Sequence, residues 1–444
     1  MFTSRQNFGA LALGMILFLG FGYFSLFAGS FLPVFLLIAY ISYHKFNSDG
    51  NIRIYSRMAL VSVFIASIVA FAAFSYKSYG PRDWDFTCFF LYGNVAAKGM
   101  NFYSPNDYYL LLKTIDIPIA LNSGFIREVV DVGCPYPPPT LLLFSILGFF
   151  SYNTALMVWT IIINLFLIGS IALVKNIFFE KKGLDGIMIS VILVLSFQST
   201  LTTVFYSQIL FLLLFFLLLF YKYRSSPWSG LFLAIAIFLK PFAVVLFFYL
   251  IIKREKKPIF FFIGSCLAIC LVTALIFGFQ PFMEYVLNNP NQRAPGTLFT
   301  ESTNQSLLAE LFRNLPGNKS LAKIIYYVVS PSLVLLFGIL IYLRRNQKDM
   351  FDLFFVILLS VALIIYPSGQ YNYPEVHLIS IFILLNYLKR VDTSATLIFL
   401  FYLVSYAGLL YLNIFLLLFT ILLINKEKFA LIYYDISHSL KSGT

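Results

Sequence analysis

Apolar stretches of about 20 residues recur along this chain from end to end, and a single helix needs about that length to cross the hydrocarbon core of a bilayer. Of its 444 residues, 60% are hydrophobic and only 11% are charged. A soluble domain carries about 25% charged residues. Mean hydropathy is +0.87, which leaves no room for a soluble all-α protein. The fold expected is all-α and polytopic, a single integral membrane domain over residues 1–444 with about 11–13 transmembrane helices. The first apolar run follows Met1–Gln6 without a small-residue cleavage site, and further spans come after it. It therefore reads as a helix and not as a cleavable signal.

Charge orients these spans. The net charge of +12 would suggest nucleic acid in a soluble protein, but here the positive-inside rule accounts for it, and no nucleic-acid partner is expected. Basic residues cluster at Lys45/Arg53/Arg57, Lys175/Lys181/Lys182, Lys222/Arg224, Lys253/Arg254/Lys256/Lys257, Arg344/Arg345/Lys348, Lys389/Arg390 and Lys426/Lys428. With all of these cytoplasmic, residues 1–50 form an N-terminal helix pair and a helix near 56–76 exits to the outer face. Residues 77–152 then make a long outer loop, and 279–318 make a second. Helices are expected near 153–174, 186–203, 207–222, 258–278, 319–343, 351–367, 375–388, 393–408 and 410–425, with the C-terminus inside. Residues 228–252 are flanked by basic residues on both sides yet suit one crossing by length. Either one loop violates the rule, or the segment is a re-entrant hairpin turning near Lys240-Pro241, which irregular backbone permits where protein buries it.

This topology sorts the 19 carboxylates. Ten face outward: Asp83, Asp85, Asp107, Asp116, Glu128, Asp131, Glu284, Glu301, Glu310 and Glu375. None lies deep in a span, whereas ion-coupled transporters keep ionisable groups at the midplane. In the first outer loop Phe86, Phe89 and Phe90 give one apolar face, so residues 85–98 are expected to form an interfacial helix. Asp85 in its first turn either caps that helix or serves as a catalytic base. Pro137-Pro138-Pro139 suits the start of a short helix over 140–150. Cys88 and Cys134 share the outer loop, as two free thiols or as a disulfide. Cys266 and Cys270 read as packing, and no Cys/His spacing suggests a metal site. Asn291/Gln292 and Asn304/Gln305 are hydrogen-bonding pairs of the kind that bind sugars, and Arg293 and Arg313 suit phosphate, or these residues form a solvated loop. His377 opens a helix beside an aromatic turn at the same outer level, and Gln208 faces that level too.

Four segments in order carry a resemblance to a known family. They are Asp85-Phe86 with Tyr92, Ala96, Gly99, Asn101 and Tyr103; Tyr136-Pro137-Pro138 before an apolar run ending near Trp159; Ser207-Gln208 with Arg224, Gly230 and Lys240-Pro241; and Asn304-Gln305-Ser306 with Arg313 and later His377. Across roughly 56–390 the chain resembles glycosyltransferase family 87, the polyprenyl-phosphate-mannose-dependent α-mannosyltransferases of the GT-C superfamily. It departs from that family in having Ser207-Gln208 for the usual Gly-Gln, and in keeping His377 alone of the family's histidines.

The resemblance implies a GT-C fold and an inverting transfer of a hexose, mannose first, from a polyprenyl-phosphate donor to a glycolipid or glycan on the extracytoplasmic side of the cell membrane. It implies Asp85 as general base, with Asp83 as the fallback. His377, Lys240, Arg293 and Arg313 would bind the donor phosphate, Lys240 only if its hairpin reaches the outer half of the membrane. Tyr92, Tyr136, Gln208, Asn304 and Gln305 would line the sugar or acceptor pocket. No cofactor is implied, and a divalent metal is not obligatory for a lipid-phosphate leaving group. Two other classes stand beside this one. An O-antigen ligase favours a large late loop and a protein O-glycosyltransferase an adjacent Asp-Glu; this chain has an early loop and Asp-Trp-Asp. A glycolipid flippase is disfavoured by the lack of midplane carboxylates and internal repeats.

Overall fold

The computed structural model describes residues 84–115, 117, 130–131, 133–195, 197–287, 304, 306–347, 350–366, 374–390 and 412–424, with scattered residues between 60 and 75. The N-terminal pair over 1–50 and the helix near 393–408 lie outside the described residues. Among the described residues the regular elements are helices. In chain order they are α1 (Trp84–Ala97), α2 (Pro105–Leu112), α3 (Pro138–Ser145, continued by a 3-10 turn over Ile146–Phe149), α4 (Tyr152–Phe178), α5 (Gly183–Leu195), α6 (Gln198–Phe205), α7 (Leu210–Lys222) and α8 (Trp228–Leu239). After a 3-10 turn over Pro241–Val244 come α9 (Val245–Ile252), α10 (Lys256–Phe277), α11 (Gln280–Leu287), α12 (Leu307–Asn314), α13 (Lys319–Leu343), α14 (Phe351–Ile365), α15 (Pro374–Arg390) and α16 (Leu412–Ile424).

The chain is an all-α membrane protein. Among the described residues three helices, α4, α10 and α13, are long and apolar enough to cross a bilayer. Their side chains divide by environment. Along α10 only Pro258 and Thr273 are buried, so its Phe and Leu residues form an outward apolar wall suited to lipid. By contrast α7 and α14 are wrapped by protein: α7 packs between α4, α8 and α15, and α14 against α9, α13, α15 and α16. Rings of Phe220, Tyr249 and Phe355 lie within 5.5–6.3 Å of one another, Phe220 stacked on Phe355 and Tyr249 edge-on to both, and tie α7, α9 and α14 together at one end.

Residues 228–252 fold as a helix, a break and a helix. Proline has no N–H to continue the ladder, and it pushes the preceding residue out of the α region. Lys240 accordingly adopts an extended φ of −148° and ψ of 113° before Pro241. The two feet of this hairpin meet, because the turn before α8 (Lys222–Ser226) and Lys253 after α9 line one cleft. Its tip lies at the other end, where the Thr140 hydroxyl of α3 donates to the Phe238 carbonyl of α8. Both basic flanks therefore share one end of the molecule, and the single-crossing alternative is set aside.

Two other expectations change. The helix expected over 186–203 stops at Leu195 and restarts at Gln198. The helix of the first outer loop forms over the expected residues, but no polar face is turned to water. Thr87, Leu91, Tyr92, Asn94 and Val95 are as buried as Phe86, Phe89 and Phe90. Side chains of α2, α3, the 3-10 turn and α4 enclose α1. Gly93 permits this closeness: a Cβ there would lie 2.1 Å from the Phe144 carbonyl oxygen, and one on the facing Gly148 would lie 2.4 Å from that of Gly93.

Candidate active site

Asp85 is the second residue of α1 and projects from its first turn. Its Oδ2 accepts a hydrogen bond of 2.5 Å from Gln208 Nε2, 123 residues further along the chain. The residue is half-buried. Burial pushes its carboxyl group up to about 6, against the opposing pulls of the Gln208 hydrogen bond and the positive charge of Lys240. Desolvation penalises the charged form, and the donor and the cation each favour it. The result is a carboxylate that is mostly ionised at pH 7 yet more basic than an ordinary aspartate, which is what proton abstraction near neutrality requires.

Gln208 is aimed by a strained turn. Between α6 and α7, Ser207 has a φ of +49°, in the left-handed region that glycine occupies without penalty and other residues rarely enter. The Ser207 carbonyl accepts a 2.8 Å bond from the indole N–H of Trp159, which is fully buried on α4. Backbone strain held by a buried tryptophan thus sets the direction of the next side chain. The family resemblance places glycine where this chain has Ser207, and the observed φ is the physical reason glycine suits the position.

Lys240 arrives from the tip of the hairpin. Its ammonium lies 5.4 Å from the centroid of the Tyr136 ring, a cation–π distance. Tyr136 is in turn fixed by the motif residues of the first outer loop. Gly99, with φ +64°, ends α1, and the Asn101 side-chain oxygen accepts from the Tyr103 N–H at 2.9 Å. Asp107 accepts from the Asn101 N–H at 2.8 Å, and the Tyr103 hydroxyl donates to the Tyr136 carbonyl at 3.0 Å. The Tyr136 ring meets Phe89 at 5.9 Å and Phe144 at 5.3 Å. The spaced Gly–Asn–Tyr pattern is therefore a brace that holds an aromatic face under a lysine.

The remaining sequence-derived residues fall in different places. Tyr92 is a buried wall residue, its ring edge-on to Tyr108 at 5.9 Å and tilted to Tyr136 at 6.4 Å. His377 is fully buried in the first turn of α15. Asn304 and Arg313 belong to a local cluster around α12. Arg313 donates to the Asn304 carbonyl at 2.9 Å and pairs with Glu310 at 2.6 Å, and Asn304 accepts from the Ser306 N–H. That cluster packs on a small hydrophobic group of Leu308, Phe312 and Ala322, separate from the main core. Asp83, Arg293 and Gln305 lie outside the described residues. Cys88 and Cys134 are buried free thiols. Among the described residues no cluster of three or more His, Cys, Asp or Glu could hold a metal. Trp159, Ser207 and Tyr103 do more to build the site than sequence reasoning assigned them. A glycine position occupied by serine was the available signal for Ser207.

Fold and site together define a helical membrane protein with a basic carboxylate and a lysine gathered at one end of its bundle. Residues 135–367, just over half of the chain, match the sequence profile of glycosyltransferase family 87, and the chain belongs to that family. It is a membrane glycosyltransferase. The matched segment holds Tyr136, Gln208 and Lys240, and Asp85 reaches it from outside through the Gln208 hydrogen bond. No curated protein and no solved structure matches the chain.

Proposed function

We propose that this glycosyltransferase moves a hexose, mannose first among the candidates, from a polyprenyl-phosphate donor to a hydroxyl of a glycolipid or glycan on the extracytoplasmic face. One observation carries the reading: a half-buried carboxylate, Asp85, is raised to about 6 and is oriented by Gln208 beside the charge of Lys240. In this reaction Asp85 takes the proton of the acceptor hydroxyl. The acceptor oxygen bonds to the anomeric carbon from the face opposite the phosphate. The bond from that carbon to the phosphate oxygen breaks, and the polyprenyl phosphate leaves with the electron pair. Attack from the opposite face inverts the anomeric configuration.

Lys240 is the cation assigned to the departing phosphate. A fixed positive charge where negative charge develops is the kind of interaction that lowers the barrier most. A lipid phosphate carries less charge than a nucleotide diphosphate, so the reading calls on no metal. Sidedness is supported by the basic turns: Lys222 ends α7, before whose first turn Gln208 holds Asp85, and Lys253 lies beside Ser225 of the turn that follows Lys222. The positive-inside rule makes that end cytoplasmic.

The test is sugar transfer by purified protein given polyprenyl-phosphate mannose, and separately the glucose and arabinose donors, with extracted membrane glycolipids. Asp85→Asn is expected to lose transfer by 10²–10⁴-fold, and Lys240→Met by about 10²-fold. Transfer by Asp85→Asn at the parental rate would remove Asp85 as the base. Transfer from a nucleotide sugar in place of every lipid-phosphate donor would overturn the donor class.

A further inference from the structure

At the basic end of the bundle, Arg224, Lys253 and their neighbours line a cleft of about 530 Å³ that the proposed sugar transfer does not use. Its walls are the α7–α8 turn, the α9–α10 turn and the first turn of α14. Lys222, Arg224, Ser225, Ser226 and Lys253 line it, together with Asp352. The positive-inside rule by itself explains lysines that trail into water, as the exposed Lys222 does. Two of these cations, Arg224 and Lys253, are instead held by contacts. The Lys253 side chain is only 10% exposed, and its ammonium lies 5.4 Å from the Tyr249 ring and 5.1 Å from the Phe351 ring. The Arg224 guanidinium lies 4.5 Å over the Tyr221 ring. Arg254, next to Lys253, holds a left-handed φ of +57°, so the turn presenting Lys253 is itself strained into shape.

The charge count leaves room for an anion. Arg224 is paired with Asp352 at 3.4 Å and Lys253 with Glu255 at 3.6 Å. Lys222, Arg224 and Lys253 against Asp352 and Glu255 leave one positive charge over. Burial pulls the Lys253 ammonium downward; Glu255 counters that pull and Arg224 adds to it. An arriving anion relieves this cost. Ser225 accepts from Lys253 at 3.4 Å, and its own proton remains a donor for an oxyanion.

The surroundings identify the source of that anion. Trp228, two residues beyond the cleft, is 57% exposed, and its ring meets Phe261 of α10 at 5.9 Å. The rest of α10 presents apolar side chains outward along a bilayer-length helix. An exposed tryptophan at the start of a lipid-facing wall marks headgroup level, and basic pockets between helices on this side of a membrane suit phospholipid phosphates. We propose that the cleft binds the phosphate of an anionic membrane phospholipid and clamps together the two feet of the hairpin whose tip carries Lys240.

The experiment uses the full chain, delipidated in detergent, and reads the unfolding midpoint and the lipid retained in native mass spectrometry. Titrated phosphatidylglycerol is expected to raise the midpoint saturably with one lipid retained per chain, and phosphatidylcholine is not. Lys222→Gln and Lys253→Gln are each expected to weaken the response roughly fivefold, the worth of one basic residue near an anionic surface. Lys253→Arg keeps the response, and so does Lys181→Gln, whose charge lies outside the cleft. Parental behaviour of both glutamine variants overturns the site, as does an equal response to phosphatidylcholine. Inorganic phosphate reproducing the shift at the same concentration overturns the lipid assignment in favour of a soluble phosphate ligand. If the glutamine variants fail to fold, loss of retained phosphatidylglycerol from the folded parent on addition of phosphatidylcholine decides against the proposal, and its retention decides for it.

Discussion

Replacing Asp85 with asparagine is expected to abolish transfer and, at neutral pH, to make the protein more stable. Asparagine keeps an oxygen to accept the Gln208 hydrogen bond and stands in for the neutral acid. Raising a carboxyl group from 3.8 to about 6 means the folded state prefers the protonated form. At 1.36 kcal/mol per unit this amounts to about 3 kcal/mol at most, and solvent reaching a half-buried side chain reduces it to roughly 1–3 kcal/mol. The sign follows from linkage. Below about pH 4 the carboxyl is protonated in both folded and unfolded chains and imposes no cost. Between about 4 and 6 the unfolded chain ionises first, so the parent loses stability as pH rises. Above about 6 the penalty is complete and constant. Unfolding midpoints of parent and variant in the same detergent, measured from pH 4 to 8, are expected to coincide at the acid end and diverge to a plateau above pH 6. A variant that is less stable than the parent at pH 7.5, or an offset that does not change with pH, would refute the claim that Asp85 is a desolvated carboxylate.

Four further outcomes follow from the same geometry. Transfer is expected to rise with pH through an acid limb near 6 in kcat/KM. The kcat limb should lie at higher pH, and pH–rate profiles at low and saturating donor separate the two. Gln208→Leu removes a bond that favours the ionised form, so its acid limb is expected to move to higher pH with the peak rate lowered. Ser207→Gly relieves the left-handed strain and is expected to add about 1 kcal/mol of stability with activity retained, whereas Ser207→Val destabilises; denaturation midpoints read both. Gly93→Ala places a Cβ 2.1 Å from the Phe144 carbonyl, backbone against backbone, and is expected to cost about 1–3 kcal/mol, visible as a lowered midpoint.

Much of the fold was legible because a bilayer makes strong local demands. Long apolar runs and basic turns are read residue by residue, and they gave the helical class and one basic end. The hairpin at Lys240-Pro241 was legible as an alternative, since proline acts on its own neighbours. Choosing it needed the contact of Thr140 with Phe238, which joins segments about 100 residues apart. The stripe of Phe86, Phe89 and Phe90 suggested a half-exposed helix because three aromatics on one face are conspicuous. Thr87, Asn94 and Tyr92 on the other faces look polar in sequence and are nevertheless buried, Thr87 against the Tyr152 hydroxyl at 2.9 Å and Asn94 against the Phe90 carbonyl at 3.0 Å. Asp85 could be read as a cap or as a base from its position alone. The structure adds a partner that no local pattern supplies, the Gln208 side chain, and the proposed role as base rests on it.

The hairpin also bears on how the proposed base is regulated by its own substrate. A lysine at the tip of a buried turn is costly unless something nearby offsets the charge. Here the Tyr136 face and the Asp85 carboxylate do so. The same interaction weakens Asp85 as a base, because a neighbouring cation stabilises the ionised form and so lowers its affinity for a proton. When a donor phosphate takes up the Lys240 charge, that restraint on Asp85 is withdrawn and a second anion is brought near. Both changes raise the proton affinity of the carboxylate. In the proposed reaction the base is therefore weak while the donor site is empty and strengthens when a sugar phosphate is in place, which couples proton abstraction from the acceptor to the presence of something to transfer.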